Sequence, residues 1–477
     1  MTQEKNIGFA FLAIAEKHPD LLAIVADSIA INYKHLSIIT QAFASQMHQR
    51  GVGQKSVVVV DTQDVVVATV TALATALLGA RWVSQNSIPV LAGVLEPTHW
   101  FQSPDMQRIE GFVQIDNSWF TTTGAANYQG FISPEAPWLY VSTSGTTGKA
   151  KLISVGQGII YDRSLIVSDD YVTRETVFCC LFNCVAFPFL TRAFATFLNG
   201  CTLVYGNDPA LWQKAGVNLV MGSPRQARAL QLDRGHTPKI REIHLAGSKL
   251  TDELAIGLLD RFETVVDLYA STETNRSFKN VKSLSRDGSL VTTGQKLDSV
   301  IEIVAEDGGV CDLGVEGVIR VKNDYLVNGY VNNPEADRES FKDGWFYPGD
   351  RGRWGSNGQL EILGRTDEVI NLGGVKINGA EVDRVLKGVD GISNAICFKS
   401  PLQDEPDCLI AFVVIDEEYN SKNCLNAVKA AALSKLTGAQ VPQKIIEVSA
   451  LPTGQKGGPL RWMCQDIYAN KEKQKPK

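Results

Sequence analysis

The chain predicts an α/β protein: a large, multi-subdomain, layered α/β N-terminal domain over residues 1–366 and a small α+β C-terminal domain over 367–477. Three observations lead there. At 477 residues it is too long for one compact core, so two or three folding units are expected. Short apolar runs bounded by polar turns alternate with longer helix-patterned stretches, the rhythm of βαβ units. After Asp350 that rhythm gives way to hairpin-like text and a remainder the size of a minor domain.

Taken in order, Tyr33 to Arg50 reads as a helix and Val57 to Val60 as a short buried strand. Val65 to Ala80 is apolar but interrupted by Thr69, Thr71 and Thr75 and bounded by Asp64 and Arg81. It is too short to span a bilayer and predicts a buried helix. Trp138 to Val141 reads as a strand, as do Val217 to Met221, Glu242 to Leu245 and Val265 to Leu268, with a helix over Asp252 to Arg261. Arg353 to Leu360 predicts a hairpin closing on its Gly-Ser-Asn-Gly turn. The boundary between the two domains falls between Arg365 and Glu368.

Composition narrows the function classes. A net charge of -6 gives no bulk attraction to nucleic acid or to an anionic membrane. The lysines at the far end, Asn470 to Lys477, read as a solvated tail. The N-terminus lacks a secretory pattern. Nine cysteines without paired spacing suit a reducing cytoplasm and no structural metal. The six histidines show no metal spacing, and His244 reads as a strand residue.

Chemistry concentrates in a few stretches. Ser142 to Lys151 reads Ser-Thr-Ser-Gly-Thr-Thr-Gly-Lys-Ala-Lys directly after an apolar strand. Dense hydroxyls and glycines make a loop whose N–H groups and hydroxyls can wrap a polyphosphate, with Lys149 and Lys151 adding charge. It is not the P-loop of nucleotide kinases, because no Gly-Lys-Ser/Thr closes it. Tyr269-Ala270-Ser271-Thr272-Glu273 follows a strand, where ligands of α/β sheets bind. Those residues offer an aromatic face, a hydroxyl donor and a carboxylate for Mg²⁺. On these residues alone a helix N-cap by Ser271 reads equally well. Gly344-Trp345-Phe346-Tyr347-Pro348-Gly349-Asp350 puts a carboxylate at the end of a tight turn, able to accept from two vicinal hydroxyls or only to close its own turn.

Together these stretches resemble the adenylate-forming superfamily, which includes acyl- and aryl-CoA ligases, stand-alone adenylation domains and luciferase. The resemblance spans the chain, and its most specific parts are the phosphate loop and the segment Gly364 to Lys376. It implies that Ser142, Thr143, Ser144, Gly145, Thr146, Thr147, Gly148 and Lys151 hold ATP phosphates. Tyr269 would stack on adenine, Thr272 contact the α-phosphate, and Glu273 bind magnesium. Gly247 and Ser248 would line the nucleotide pocket, Asp350 would hold ribose, and Arg365 would pair with ribose or phosphate. Asp367 would be the pivot of a mobile C-terminal domain. Gly374 would let a phosphopantetheine arm pass. Ala270 and Pro348 replace the family's usual Gly and Thr.

The far end departs from the pattern. The family carries a late catalytic lysine, and Lys456 comes one position early in Pro452-Thr453-Gly454-Gln455-Lys456. It is the expected catalytic lysine, bridging the attacking carboxylate and the α-phosphate.

The implied activity is ATP-dependent conversion of a carboxylic acid to acyl-AMP with release of pyrophosphate. The acyl group then passes to the thiol of CoA or of a carrier protein acting in trans. The expected acid pocket holds Asn183, Phe187, Gly222, Ala246, Ala270 and Ser271. It is apolar and aromatic, and amino-acid activators place an Asp where Asn183 falls. An aryl or compact apolar acid is therefore expected rather than an α-amino acid. Two alternatives stand at this point: transfer to an amine or other non-thiol acceptor, and a non-catalytic binder of acyl-AMP or acyl-CoA.

Overall fold

A computed structural model describes residues 5–27, 29–91, 93–121, 128–143, 151–230, 239–366, 369–372, 375–402, 408–452 and 460–473. Two large sheets dominate its N-terminal part. The first, nine strands wide among the described residues, has six parallel strands at its centre. In spatial order these are Phe262–Ser271, Ile240–Ala246, Leu219–Gly222, Val177–Cys180, Thr202–Tyr205 and Leu22–Ala26. The second holds the strand Val57–Asp61 at its centre and ends in the antiparallel pair Pro137–Thr143 and Lys151–Gly156. Helices Ile7–Lys17, Tyr33–Gln49, Val65–Leu78, Gln157–Asp170 and Phe187–Leu198 share one apolar cluster with the facing sides of both sheets. Val65–Leu78 packs on the strands Val57–Asp61 and Arg81–Ser84 and on the helices Ile7–Lys17 and Tyr33–Gln49, which leaves no face for water. That is why Val65–Leu78 is buried along its whole length.

Local signals set the ends. Asp64 caps that helix by accepting from the N–H groups of Val66 and Val67 at 2.7 and 3.0 Å. Gly79 stops it at φ 68° in the left-handed region. The expected helices therefore end earlier than read: at Gln49, Leu78 and Leu259. No helix among the described residues is long and apolar enough to cross a membrane. All nine cysteines are free.

A third sheet packs Phe278, Ile303, Ile319, Val321 and Leu360 together. It includes the expected hairpin, Asp350–Trp354 with Leu360–Arg365. Beyond it, the hairpin Val369–Leu372 and Val375–Asn378 precedes a three-stranded sheet. Helices Gly379–Lys387 and Ser421–Lys435 cluster on one face of that sheet, and Arg461–Lys473 on the other. These two clusters draw only on residues after 369. The molecule thus has a large α/β N-terminal domain and a smaller C-terminal one.

Candidate active site

Several expected segments follow the carboxyl ends of the parallel strands of the nine-stranded sheet. Register aligns the carboxyl ends of neighbouring parallel strands: Cys180 opposite Met221, Gly222 opposite Leu245, Ala246 opposite Leu268. The segments carrying Asn183, Gly222, Ala246–Ser248 and Ala270–Glu273 therefore emerge side by side. Gly247 adopts φ 94° directly after its strand, which favours glycine.

Tyr269 to Glu273 forms the end of a hairpin, since Phe262–Ser271 pairs antiparallel with Asn275–Leu284. The N-cap reading of Ser271 is replaced. No helix follows, and Ser271 Oγ accepts from the Thr274 N–H at 3.1 Å across the turn. Register shifts between Tyr269 and Ala270, a bulge that re-aims neighbouring side chains. A small cleft opens here, lined by Tyr269, Ala270, Ser271, Thr274, Phe346 and Asp350 among others.

Three of the expected residues bond directly. The Tyr269 hydroxyl donates to Asp350 Oδ2 at 2.7 Å, and Arg365 Nη1 donates to Asp350 Oδ1 at 2.7 Å. Asp350 and Arg365 are cross-strand partners, so the hairpin itself delivers the pair. Gly349, at φ 80°, lets Arg365 approach: a Cβ there would lie 2.7 Å from Nη2. Burial foremost, then the Asp350 charge, holds the Tyr269 phenol far above its ordinary range. It is a hydrogen-bond donor at any ordinary pH.

Glu273 is buried, and its Oε1 accepts from the Tyr330 hydroxyl at 2.9 Å. The Lys151 ammonium lies 4.6 Å from the centre of the Tyr330 ring. A chain of contacts thus links Lys151 to the carboxylate. One carboxylate with one oxygen already bonded suits a Mg²⁺ that keeps waters and shares nucleotide phosphates, not a closed protein cage. Among the described residues no group of three or more His, Cys, Asp or Glu side chains could hold a metal.

Neither Tyr330 nor Arg163 was legible as a site residue. Arg163 is 0% exposed and donates to the carbonyls of Thr272, Glu273 and Tyr325 at 2.9, 2.7 and 2.6 Å. It clamps the turn that carries Thr272 and Glu273. Burial pulls its pKa down to about 9. A lone arginine in a helix gives no sequence signal of that role.

Ser142 and Thr143 end their strand opposite Leu152 and Lys151. Asn183 is exposed, and its Oδ1 accepts from the Val185 N–H at 3.0 Å, so it closes its own loop. Phe187 opens the helix Phe187–Leu198, and Gly222 packs against Leu181. Ser144, Gly145, Thr146, Thr147, Gly148, Asp367, Gly374 and Lys456 lie outside the described residues.

Known proteins resemble this chain in sequence and in fold. Residues 102–331 match the family model described as AMP-binding enzyme. A probable CoA ligase of Humulus lupulus is 31% identical over 228 residues, which is 46% of this chain. That match spans 42% of the relative, less than half its length. An O-succinylbenzoate coenzyme A synthetase of Bacillus subtilis, solved with AMP, superposes with a TM-score of 0.81 at 21% identity, covering 96% of this chain and 98% of that one. The same protein solved with ATP and magnesium superposes at 0.80, again 21% identical, covering 95% and 98%. The motifs and the family match agree: over residues 102–331 the chain is similar to the AMP-binding enzymes.

Proposed function

We propose that this protein is an AMP-forming acid–thiol ligase. It converts a carboxylic acid and ATP to acyl-AMP and pyrophosphate, then passes the acyl group to the thiol of CoA or of a separate carrier protein. The observation that carries the reading is the convergence of Tyr269, Asp350 and Arg365 with the Glu273–Tyr330–Lys151 chain at one sheet edge. The relatives support it: one is named a probable CoA ligase, and the solved synthetase holds ATP and magnesium.

In this reading Ser142 to Lys151 surrounds the triphosphate, and Tyr269 gives the adenine a face. Asp350 accepts from ribose hydroxyls through lone pairs that Tyr269 and Arg365 leave open. Glu273 would hold Mg²⁺, which when bound neutralises phosphate charge. Thr272 contacts the α-phosphate, and Arg163 fixes the turn that aims it. Lys456 stabilises the charge that builds as the carboxylate attacks. The domain after residue 366 pivots at Asp367, withdrawing Lys456 and presenting Gly374 to the incoming thiol. The preferred acid is aryl or compact, since the expected pocket segment carries Phe182 and Phe187.

Acid-dependent ATP–pyrophosphate exchange tests the first half-reaction. Exchange with one class of acid is the expected result, and silence across benzoic, hydroxybenzoic, fatty, short-chain, dicarboxylic and amino acids would overturn it. Product formation that depends on CoA or a phosphopantetheine thiol tests the second. Product with hydroxylamine or an amine alone would assign a non-thiol acceptor.

A further inference from the structure

Arg192 sits in the helix Phe187–Leu198, which leaves the pocket segment, and is 4% exposed. Two other buried arginines surround the same strand end, and both have strong partners. Arg163 donates to three carbonyls. Arg276 pairs with Asp170 and Asp298 and donates to the Ile166 carbonyl. Arg192 has neither arrangement. Its Nη atoms reach Asn275 Oδ1 and Thr191 Oγ1 only at 3.4 Å, and its Nε has no partner. Among the described residues no carboxylate pairs with it. A buried guanidinium without a counter-charge is costly, and a ligand that brings the anion removes the cost.

Its contacts place it next to residues of the cleft. Asn275 is the register partner of Ser271, and Thr274 beside it lines the cleft with Tyr269, Ala270 and Ser271. The Arg192 charge also acts on the thiol of Cys180, at the carboxyl end of its strand. The guanidinium therefore lies at the sheet edge where the pocket segments emerge.

We propose that Arg192 is the anion-binding group of the acid pocket and that the acid activated is a compact dicarboxylate. This rests on the adenylation reading and narrows its substrate. It also gives one buried charge to a pocket expected to be apolar. One carboxylate oxygen bonds to the α-phosphorus of ATP. The bond from that phosphorus to the bridging oxygen breaks, and pyrophosphate leaves with the electron pair. The other carboxylate stays ionised against Arg192. Thr272 and Asn275 are three residues apart, so their Cα atoms lie within about 11 Å, which favours a short chain.

The test uses the full chain and matched acids: propanoate with malonate, butanoate with succinate, pentanoate with glutarate. Pyrophosphate exchange is measured for the wild type, Arg192→Met and Arg192→Lys. At least one dicarboxylate should exceed its monoacid by about 100-fold in kcat/KM. Arg192→Met should erase that preference and Arg192→Lys should keep part of it. Arg192→Met should also hold or raise the melting temperature of the unliganded protein, which a purely structural arginine would not allow. Equal use of monoacids by the wild type, or an unchanged preference in Arg192→Met, overturns the proposal and leaves adenylation standing. Should no acid support exchange, the adenylation reading falls. Melting with AMP and each acid then decides: a shift by dicarboxylate that Arg192→Met loses upholds the anion site, and no shift overturns it.

Discussion

Replacing Asp350 with Asn separates a nucleotide-binding role from a turn-closing one. Asp350 accepts from Arg365 on one oxygen and from Tyr269 on the other, both at 2.7 Å, with its side chain 14% exposed. Asn offers one acceptor oxygen and one NH₂ group. The oxygen must face Arg365, because two N–H groups cannot bond each other. The NH₂ then faces the phenol, which has to turn its hydrogen away. One charge-assisted bond is lost, worth about 1.5–3 kcal/mol. At about 2.1 cal/mol/K per residue, a unit of some 366 residues changes by roughly 0.8 kcal/mol per degree, so the midpoint should fall by about 2–4 °C. The ribose loses a charged acceptor as well. About 2 kcal/mol there raises KM for ATP about 30-fold. Initial rates of pyrophosphate exchange at varied ATP and varied acid read this directly, with KM for the acid unchanged. A lowered melting point with an unaltered KM for ATP would refute the reasoning and leave Asp350 as a tie between strands.

Other outcomes are expected. Tyr330→Phe removes the donor to Glu273 but keeps the ring beneath Lys151, so the Mg²⁺ concentration for half-maximal exchange should rise by about 10-fold or more; an unchanged requirement would detach Glu273 from the metal. Lys456→Ala should lose about 10²–10³ in adenylation rate while still converting pre-made acyl-AMP to thioester, and near-normal adenylation would remove Lys456 from the mechanism. Burial foremost raises Asp267 to about 6. Its folded form holds a proton more tightly than the unfolded chain between pH 3.8 and about 6, so the ionised group costs stability above pH 6 and the cost fades as pH falls towards 4. Asp267→Asn should therefore raise the unfolding free energy at pH 7.5, by up to about 3 kcal/mol, and give no gain near pH 4; a gain equal at both pH values would refute the assignment.

The amino-acid sequence by itself determined the alternation of strands and helices, because apolar periodicity is a local property written residue by residue. It also determined the motif stretches, since a loop such as Ser142 to Lys151 needs its hydroxyls and glycines in one run whatever surrounds it. Asp350 and Arg365 were both legible, but their direct pairing was not, because it depends on hairpin register across 15 residues. Asn183 drew attention by position alone, and the tertiary structure shows its oxygen engaged by the Val185 N–H. Arg163, Arg192 and Tyr330 carried no sequence signal. An arginine in a helix reads as solvated until the packing of two sheets closes over it. Only the tertiary structure decided which buried cation is met by carbonyls, which by carboxylates, and which only by the long contacts of Asn275 and Thr191. Burial and partner geometry are set by contacts between distant segments, which no local pattern records.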